Sequence, residues 1–291
     1  MGKQIKIRAF SDWATSFALH DKIIDQFMGV KQLRDTMMFV TDDSYDYAVV
    51  FDHKGDNEIL TPKDRTLGFI TEPPDSTHFD RLLSDYCLRV YTCGSAESYG
   101  LRGDVRHFPM GVFYHLEGEI EDYMVLPPKT HKLGMVLSAT SGGFYDYRMN
   151  IAKAIATSGI GSVYGRGLNF KGVKGELSNK ANGLIPFEFS VCMEGGIWDG
   201  YMSDEVLDAV LCSCIPIYVG CSTITTYVPF AIPLVRYDNP KAAIKEIEDI
   251  LASVKYEEVY PLILSWKKKY LTNYNLYEKI REFICSKQST L

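Results

Sequence analysis

Two stretches of this chain carry carboxylates in settings where a protein can use them. The first is Thr71-Glu72-Pro73-Pro74-Asp75, directly after the β-prone run Thr66 to Ile70. Its two prolines disfavour helix and restrict the turn that holds Glu72 and Asp75. In an open α/β sheet the C-terminal ends of the strands are where ligands bind, so an acid here is placed to act as a general base. The competing reading is a surface turn with incidental acids. The second stretch is Glu194 followed by Ser203, Asp204 and Glu205. Carboxylates grouped in this way suit sugar hydroxyls, although acids in a first helical turn are also ordinary complements of the helix dipole.

The second stretch lies in a strand, loop, helix, strand unit. Phe187 to Met193 is apolar and β-prone, Glu194 to Gly200 is glycine-rich loop, and Ser203 is a helix cap. The helix is expected from about Asp204 to Cys214. Ile215 to Val219, closed by Gly220, has the length and flanks of a buried parallel strand. Such a unit sets a helix N-terminus, with its free N–H groups, beside the carboxylates at the mouth of a sheet. Phosphate and hydroxyl recognition together are what a nucleotide-sugar site requires.

The elements that must position these groups alternate along the chain. Strands are expected at Lys3 to Phe10, Met37 to Val40, Asp46 to Phe51, Thr66 to Thr71, Arg89 to Thr92 and Leu133 to Ser138. Helices are expected at Thr15 to Phe27, stopping at Gly29, at Phe79 to Cys87, at Met149 to Thr157 and from Pro240 to Leu251. Val259 to Cys285 is amphipathic and aromatic-rich. Alternating strands and helices with polar loops at strand ends indicate doubly wound α/β architecture. The 291 residues have room for two domains, taken as 1–126 and 127–291, with Glu117 to Thr130 as the acidic, proline-containing linker.

The net charge of −6 argues against bulk nucleic-acid binding, and Lys267-Lys268-Lys269 reads as a solvated helix face. No run approaches the roughly 20 apolar residues of a membrane span. Lys3, Lys6 and Arg8 interrupt the first strand, so no signal peptide is expected there. The seven cysteines, with Cys212 and Cys214 two apart, fit neither a zinc site nor a redox pair. They read as reduced core thiols in a soluble, cytoplasmic protein. The six histidines form no metal-ligand pair by spacing, and the chain has no Asp-x-Asp motif.

The stretch from Pro186 to Gly220 resembles the donor-binding signature of the α1,3-fucosyltransferases, enzymes of the GT-B architecture. The family pattern is Phe-x-x-x-Phe-Glu-Asn-Ser, then Gly-Tyr-Val-Thr-Glu-Lys, an apolar helix, and Ile-Pro-Ile-Tyr-x-Gly. Glu194, Gly200, Tyr201, Pro216, Tyr218 and Gly220 match it in spacing. Gly195-Gly196 replace its Asn-Ser, and Ser203-Asp204 replace its Thr-Glu. Glu205 replaces a lysine that supports the donor phosphates, which reverses a charge. Ser162 to Gly167 resembles another family segment, with Tyr164 and Arg166 as donor contacts.

The resemblance implies two Rossmann-like domains facing a cleft, with the final helices crossing back to the first domain. It implies an N-terminal acceptor domain and a C-terminal donor domain. It makes Glu72 the base, with Asp75 as second choice, and Arg148 the grip on the donor diphosphate. An arginine suits that role because its planar fork stays charged and bonds two oxygens. His107 is expected to be a packing residue.

The activity implied is inverting, metal-independent sugar transfer with no cofactor, to an oligosaccharide or glycoprotein acceptor. The donor is GDP-fucose by plain resemblance. It is UDP-xylose if the chain is similar to the short, soluble glycosyltransferases of large algal viruses. Two other readings stand beside it: an inactive nucleotide-sugar or glycan-binding module, and a regulatory nucleotide-binding protein.

Overall fold

The computed structural model describes residues 4–27, 37–108 and 111–288. The expected helix stop at Gly29 and the pair Pro109-Met110 lie outside them. The first sheet has six parallel strands in the order β2-β1-β3-β4-β5-β6. They are β1 (Ile5–Phe10), β2 (Met37–Phe39), β3 (Tyr47–Phe51), β4 (Thr66–Ile70), β5 (Arg89–Thr92) and β6 (Asp104–His107). The central strands β3 and β4 are buried almost throughout, as strands covered on both faces must be. Helix α1 (Ser16–Phe27) buries Leu19 and Ile23 against this sheet.

The helix expected over Phe79 to Cys87 is reduced to one turn, Leu83–Tyr86. Asp80 prevents an earlier start. Its backbone N–H donates to the Asp52 carbonyl, and its carboxylate accepts from Leu82 N and the Tyr86 hydroxyl. Gly68 leaves the space that Leu83 fills, since a Cβ there would lie 2.9 Å from that side chain.

The second sheet has five parallel strands in the order β11-β10-β9-β7-β8. They are β7 (His131–Val136), β8 (Ser162–Tyr164), β9 (Phe187–Met193), β10 (Ile215–Val219) and β11 (Ile232–Pro233). Helices α2 (Tyr145–Ser158), α3 (Asp204–Leu211), α4 (Pro240–Ser253) and α5 (Tyr256–Lys269) accompany it. Helix α3 stops at Leu211 rather than Cys214. Ser213 takes a left-handed φ of 60°, and the chain turns there into β10. The seven cysteines form no disulfide, and all but Cys285 are buried.

Segment 117–130 packs on the second sheet: Ile120 and Tyr123 are buried in its core, and Lys129 Nζ donates to the carbonyls of Ile185 and Cys212. The aromatic-rich C-terminal stretch forms two helices. After a π turn at Tyr270–Tyr274, the Asn275 side chain donates to the Leu271 carbonyl and accepts from Glu278 N. It thus closes one helix and starts the next, α6 (Leu276–Gln288).

Helix α6 packs back on the first sheet, as the fold expectation required. Leu276, Tyr277, Ile280, Phe283 and Ile284 form one apolar stripe at helical spacing and are all buried there. Phe283 meets the Tyr47 ring edge-on at 6.2 Å, and the Arg89 guanidinium lies 5.6 Å from its centroid. Phe283→Ala is expected to lower stability by about 3–5 kcal/mol, the usual cost of an aromatic deletion in a core. Urea unfolding of the full chain measures it, and a loss below about 1 kcal/mol would mean the helix is not anchored through this ring.

Candidate active site

The loops that follow the strands of both sheets line two adjoining cavities. One, of about 450 Å³, takes Trp13 after β1, Thr71 and Glu72 after β4, and Tyr201, Ser203 and Asp204 before and within α3. The other, of about 460 Å³, takes Leu137 and Ser138 after β7, Gly165 and Arg166 after β8, with Lys180, Asp204 and Glu205. His115 and Asp204 line both cavities and mark where they meet.

The two halves are in close contact at this point. A Cβ on Gly111 would come within 2.8 Å of Asp204 N, so the chain from the first sheet runs against the start of α3. Gly200, at φ 78°, brings its carbonyl to His107. His107 Nε2 lies 3.0 Å from the Cys93 carbonyl and 3.1 Å from that of Gly200. Two acceptors require Nε2 to carry the proton, so Nδ1 accepts from the Tyr227 hydroxyl at 3.1 Å. His107 therefore serves as a packing residue between the halves.

Glu194 holds the start of α3. It is 2% exposed, and its Oε1 accepts from Ser203 N at 3.0 Å and from the Tyr218 hydroxyl at 3.1 Å. The Tyr218 oxygen in turn accepts from Cys221 N. Ser203 Oγ caps the helix by accepting from Glu205 N. Burial pushes the Glu194 carboxyl up to about 7 against the pull of these donors. Tyr201 is buried and packs edge-on against Trp198, 5.3 Å between centroids.

Below this cap lies a charge cluster invisible to spacing. Lys180 Nζ is 2.7 Å from Asp208, 3.2 Å from Asp204 and 3.2 Å from Glu205. Burial disfavours the Lys180 charge, but the three carboxylates outweigh it and hold the ammonium well above its ordinary range. His115 Nδ1 is 2.6 Å from Asp204, which raises the imidazole, and His115 N donates to Asp208 Oδ1. Burial pushes Asp208 up to about 6 in spite of Lys180. Burial acts the same way on Asp204, but Lys180 and His115 reverse it and hold that carboxyl low. His115, Asp204 and Asp208 offer ligand atoms within 4.8 Å of one another, a grouping that pairwise spacing missed. The Lys180 ammonium already lies among these carboxylates.

Arg148 lies in the first turn of α2, as expected, but it is buried rather than open. Its Nη1 is 3.5 Å from the Met193 carbonyl and 3.9 Å from Glu205, and its guanidinium covers the Tyr145 ring at 4.8 Å. Its Nε has no hydrogen-bond partner among the described residues. Arg166 is exposed on the second cavity, whereas Tyr164 packs on Phe187 and does not line it. Glu72 is half-buried on the first cavity, with its Oε2 accepting from Ser76 Oγ at 2.9 Å. Asp75 is exposed and does not line that cavity. Lys180, Asp208 and His115 escaped the sequence reading. Asp208 alone left a signal, as a carboxylate inside the apolar run Val206 to Leu211.

Two consequences are measurable. The Glu194 carboxyl binds its proton more tightly folded than unfolded, so the stability it adds is complete below about 4.5 and lost as pH rises through about 7. Glu194→Gln keeps the accepting oxygen without the charge. Its stability is expected to gain on the wild type across that interval, by about 1–3 kcal/mol at pH 8. Parallel denaturant titrations at several pH values test this, and a variant that loses stability uniformly would refute it. Lys180→Met leaves Asp208 buried without its cation. A loss of about 3–5 kcal/mol is expected at neutral pH, shrinking in mild acid as Asp208 takes up a proton. Equal losses at both pH values would show that the ammonium is not what compensates the cluster.

No family model matches the chain, and no curated protein matches it. Solved structures do. An α1,3-fucosyltransferase aligns over 97% of this chain and 89% of its own, at 15% identity and a TM-score of 0.55. The DNA-modifying enzyme β-glucosyltransferase aligns over 99% of both chains, at 11% identity and 0.54. A UDP-forming α,α-trehalose-phosphate synthase from Burkholderia vietnamiensis aligns over 94% of this chain and 80% of its own, at 11% identity and 0.52. At such identities the likeness is one of fold, and the fold of this chain is that of the GT-B glycosyltransferases.

Proposed function

We propose that the protein transfers a sugar from a nucleoside diphosphate sugar to a hydroxyl of a glycan acceptor, with inversion and without a metal. The observation that carries this reading is the pair of cavities meeting at His115 and Asp204, one holding Glu72 and the other Arg166 and Lys180. An acceptor hydroxyl in the first cavity gives its proton to the Glu72 carboxylate as its oxygen bonds to the anomeric carbon. The bond from that carbon to the diphosphate oxygen breaks, and the electron pair leaves with the diphosphate.

Asp204 and Glu205 fill the first turn of α3 and offset the dipole at its start. Arg166 and Arg148, with Lys180 close by, are therefore the groups assigned to the growing negative charge. Lys180 places an ammonium 3.2 Å from Glu205, the position where the related signature has its own lysine. Glu194 serves by fixing Ser203, and Asp204 and Glu205 are assigned to the ribose and donor sugar, whereas Tyr201, a donor contact by resemblance, lines the first cavity instead. A glycan or glycoprotein remains the proposed acceptor class. A structural neighbour with GDP-fucose bound and others that form UDP keep GDP-fucose and UDP-xylose as the donors to test.

The test is a thermal-shift panel of UDP, GDP, UDP-xylose and GDP-fucose with and without EDTA, followed by transfer assays. A ligand that prefers the folded state raises the melting temperature. One nucleotide family is expected to do so, with EDTA making no difference. Glu72→Gln is expected to lower the transfer rate by about 10²–10⁴ with nucleotide binding intact. Full activity in that variant would reject Glu72 as the base. Nucleotide binding with no transfer to any acceptor would identify a binding module.

A further inference from the structure

Trp13 is 47% exposed, yet its ring is tightly oriented on the wall of the cavity that holds Glu72. The indole Nε1–H donates to Asp52 Oδ2 at 3.2 Å. The ring meets Phe113 edge-on at 6.2 Å and 83°, and its backbone N–H donates to Ser11 Oγ. Asp52 is 1% exposed and takes a left-handed φ of 59°, a backbone cost for a residue with a side chain. Among the described residues no cation forms an ion pair with it. Its three donors are Trp13 Nε1, Thr71 N at 2.6 Å and Thr71 Oγ1 at 2.6 Å. Burial pushes this carboxyl up to about 6. One buried acid in a strained backbone thus fixes both an exposed indole and the residue before Glu72. The core gains nothing from an indole face left in water.

We propose that the exposed face of Trp13 is the acceptor-sugar subsite, stacking on the C–H face of a pyranose whose hydroxyls are equatorial. Asp52 is the positioning residue that sets this platform relative to Glu72. Such a pyranose presents apolar C–H groups on each face and hydroxyls around its rim. Stacking buries the former, and the polar groups of the same wall (Asp12, Lys22, Glu72, His78) can meet the latter. An alkyl chain would leave those groups unpaired, which disfavours a lipid acceptor. The Lys22 ammonium lies over the Phe113 ring, 4.7 Å from its centroid, and 5.8 Å from that of Trp13, and adds a donor on the same wall. As an acceptor site this subsite rests on the glycosyltransferase reading; as a sugar-binding site it is measurable without transfer.

The experiment is saturation-transfer NMR on the full chain with methyl β-xyloside, methyl β-glucoside and methyl β-galactoside as probes. The xyloside or the glucoside, whose hydroxyls are all equatorial, is expected to bind, with saturation strongest on the ring protons of a single face, and the galactoside, whose 4-hydroxyl is axial, to bind more weakly; preference for the galactoside would overturn the proposal. Trp13→Ala is expected to weaken that binding about tenfold, while Trp13→Phe, which keeps an aromatic face, retains most of it. Asp52→Asn replaces one of the two accepting oxygens with a donor, so it can no longer accept from Trp13 Nε1, Thr71 N and Thr71 Oγ1 together, and is expected to spread the saturation over both faces of the sugar. Unchanged binding in Trp13→Ala, or no binding of any probe by the wild type, would overturn the proposal. The nucleotide thermal shifts are read on the same samples. Sugar binding without any nucleotide shift would reject the transferase reading and leave the subsite standing. A nucleotide shift with unchanged sugar binding in Trp13→Ala would reject the subsite alone.

Discussion

The ammonium of Lys180 among three carboxylates is the interaction on which the site most depends. A buried carboxylate such as Asp208 costs several kcal/mol unless a cation meets it. The cation comes from a turn at Lys180–Gly183, far from α3 in sequence, so the turn, the helix and the floor of one cavity are held as a unit. His115 joins the same cluster from the segment that leaves the first sheet. The groups that neutralise the cluster therefore also fix where the two halves of the chain meet.

Around that cluster, polar groups are assigned to structure or to the cavities with little overlap. Glu194, Tyr218 and Ser203 satisfy one another and the start of α3. His107 satisfies two carbonyls and Tyr227 across the seam. Arg166 and the exposed face of Trp13 remain turned to the cavities. Gly111 and Gly200 allow the backbones of the two halves to approach so closely that side chains would not fit. No helix among the described residues is long and apolar enough to cross a membrane, and the apolar stripe of α6 is used instead to clasp the first sheet.

Much of this architecture was legible in the chain itself. Strands β3, β4, β5, β9 and β10 announce themselves as short β-branched or aromatic runs that end in glycine, proline or polar turns. Ser203 marks one helix start because its side chain satisfies an N–H that the helix leaves free, and Pro240 marks another because a first turn needs no N–H from it. The strand-end position of Glu72 and the first-turn position of Arg148 were likewise readable. Where the reading failed, a tertiary contact had overridden local preference. Asp80 bonds to Asp52 and delays a helix, and Ser213, whose hydroxyl accepts from Lys267, turns the chain and ends α3 before Cys214.

The sequence by itself determined the doubly wound class, the order of strands and helices, and which turns carry acids, because those follow from local periodicity, capping and turn chemistry. The tertiary structure alone decided that Lys180 is the counter-charge of α3, that His115 and Asp204 join two cavities, and that Glu72 rather than Asp75 lines one of them. It also decided that Asp52 holds Trp13. The reason is physical: a buried charge needs its partner in space, and nothing in the spacing of residues along the chain states which distant group the fold will bring to it.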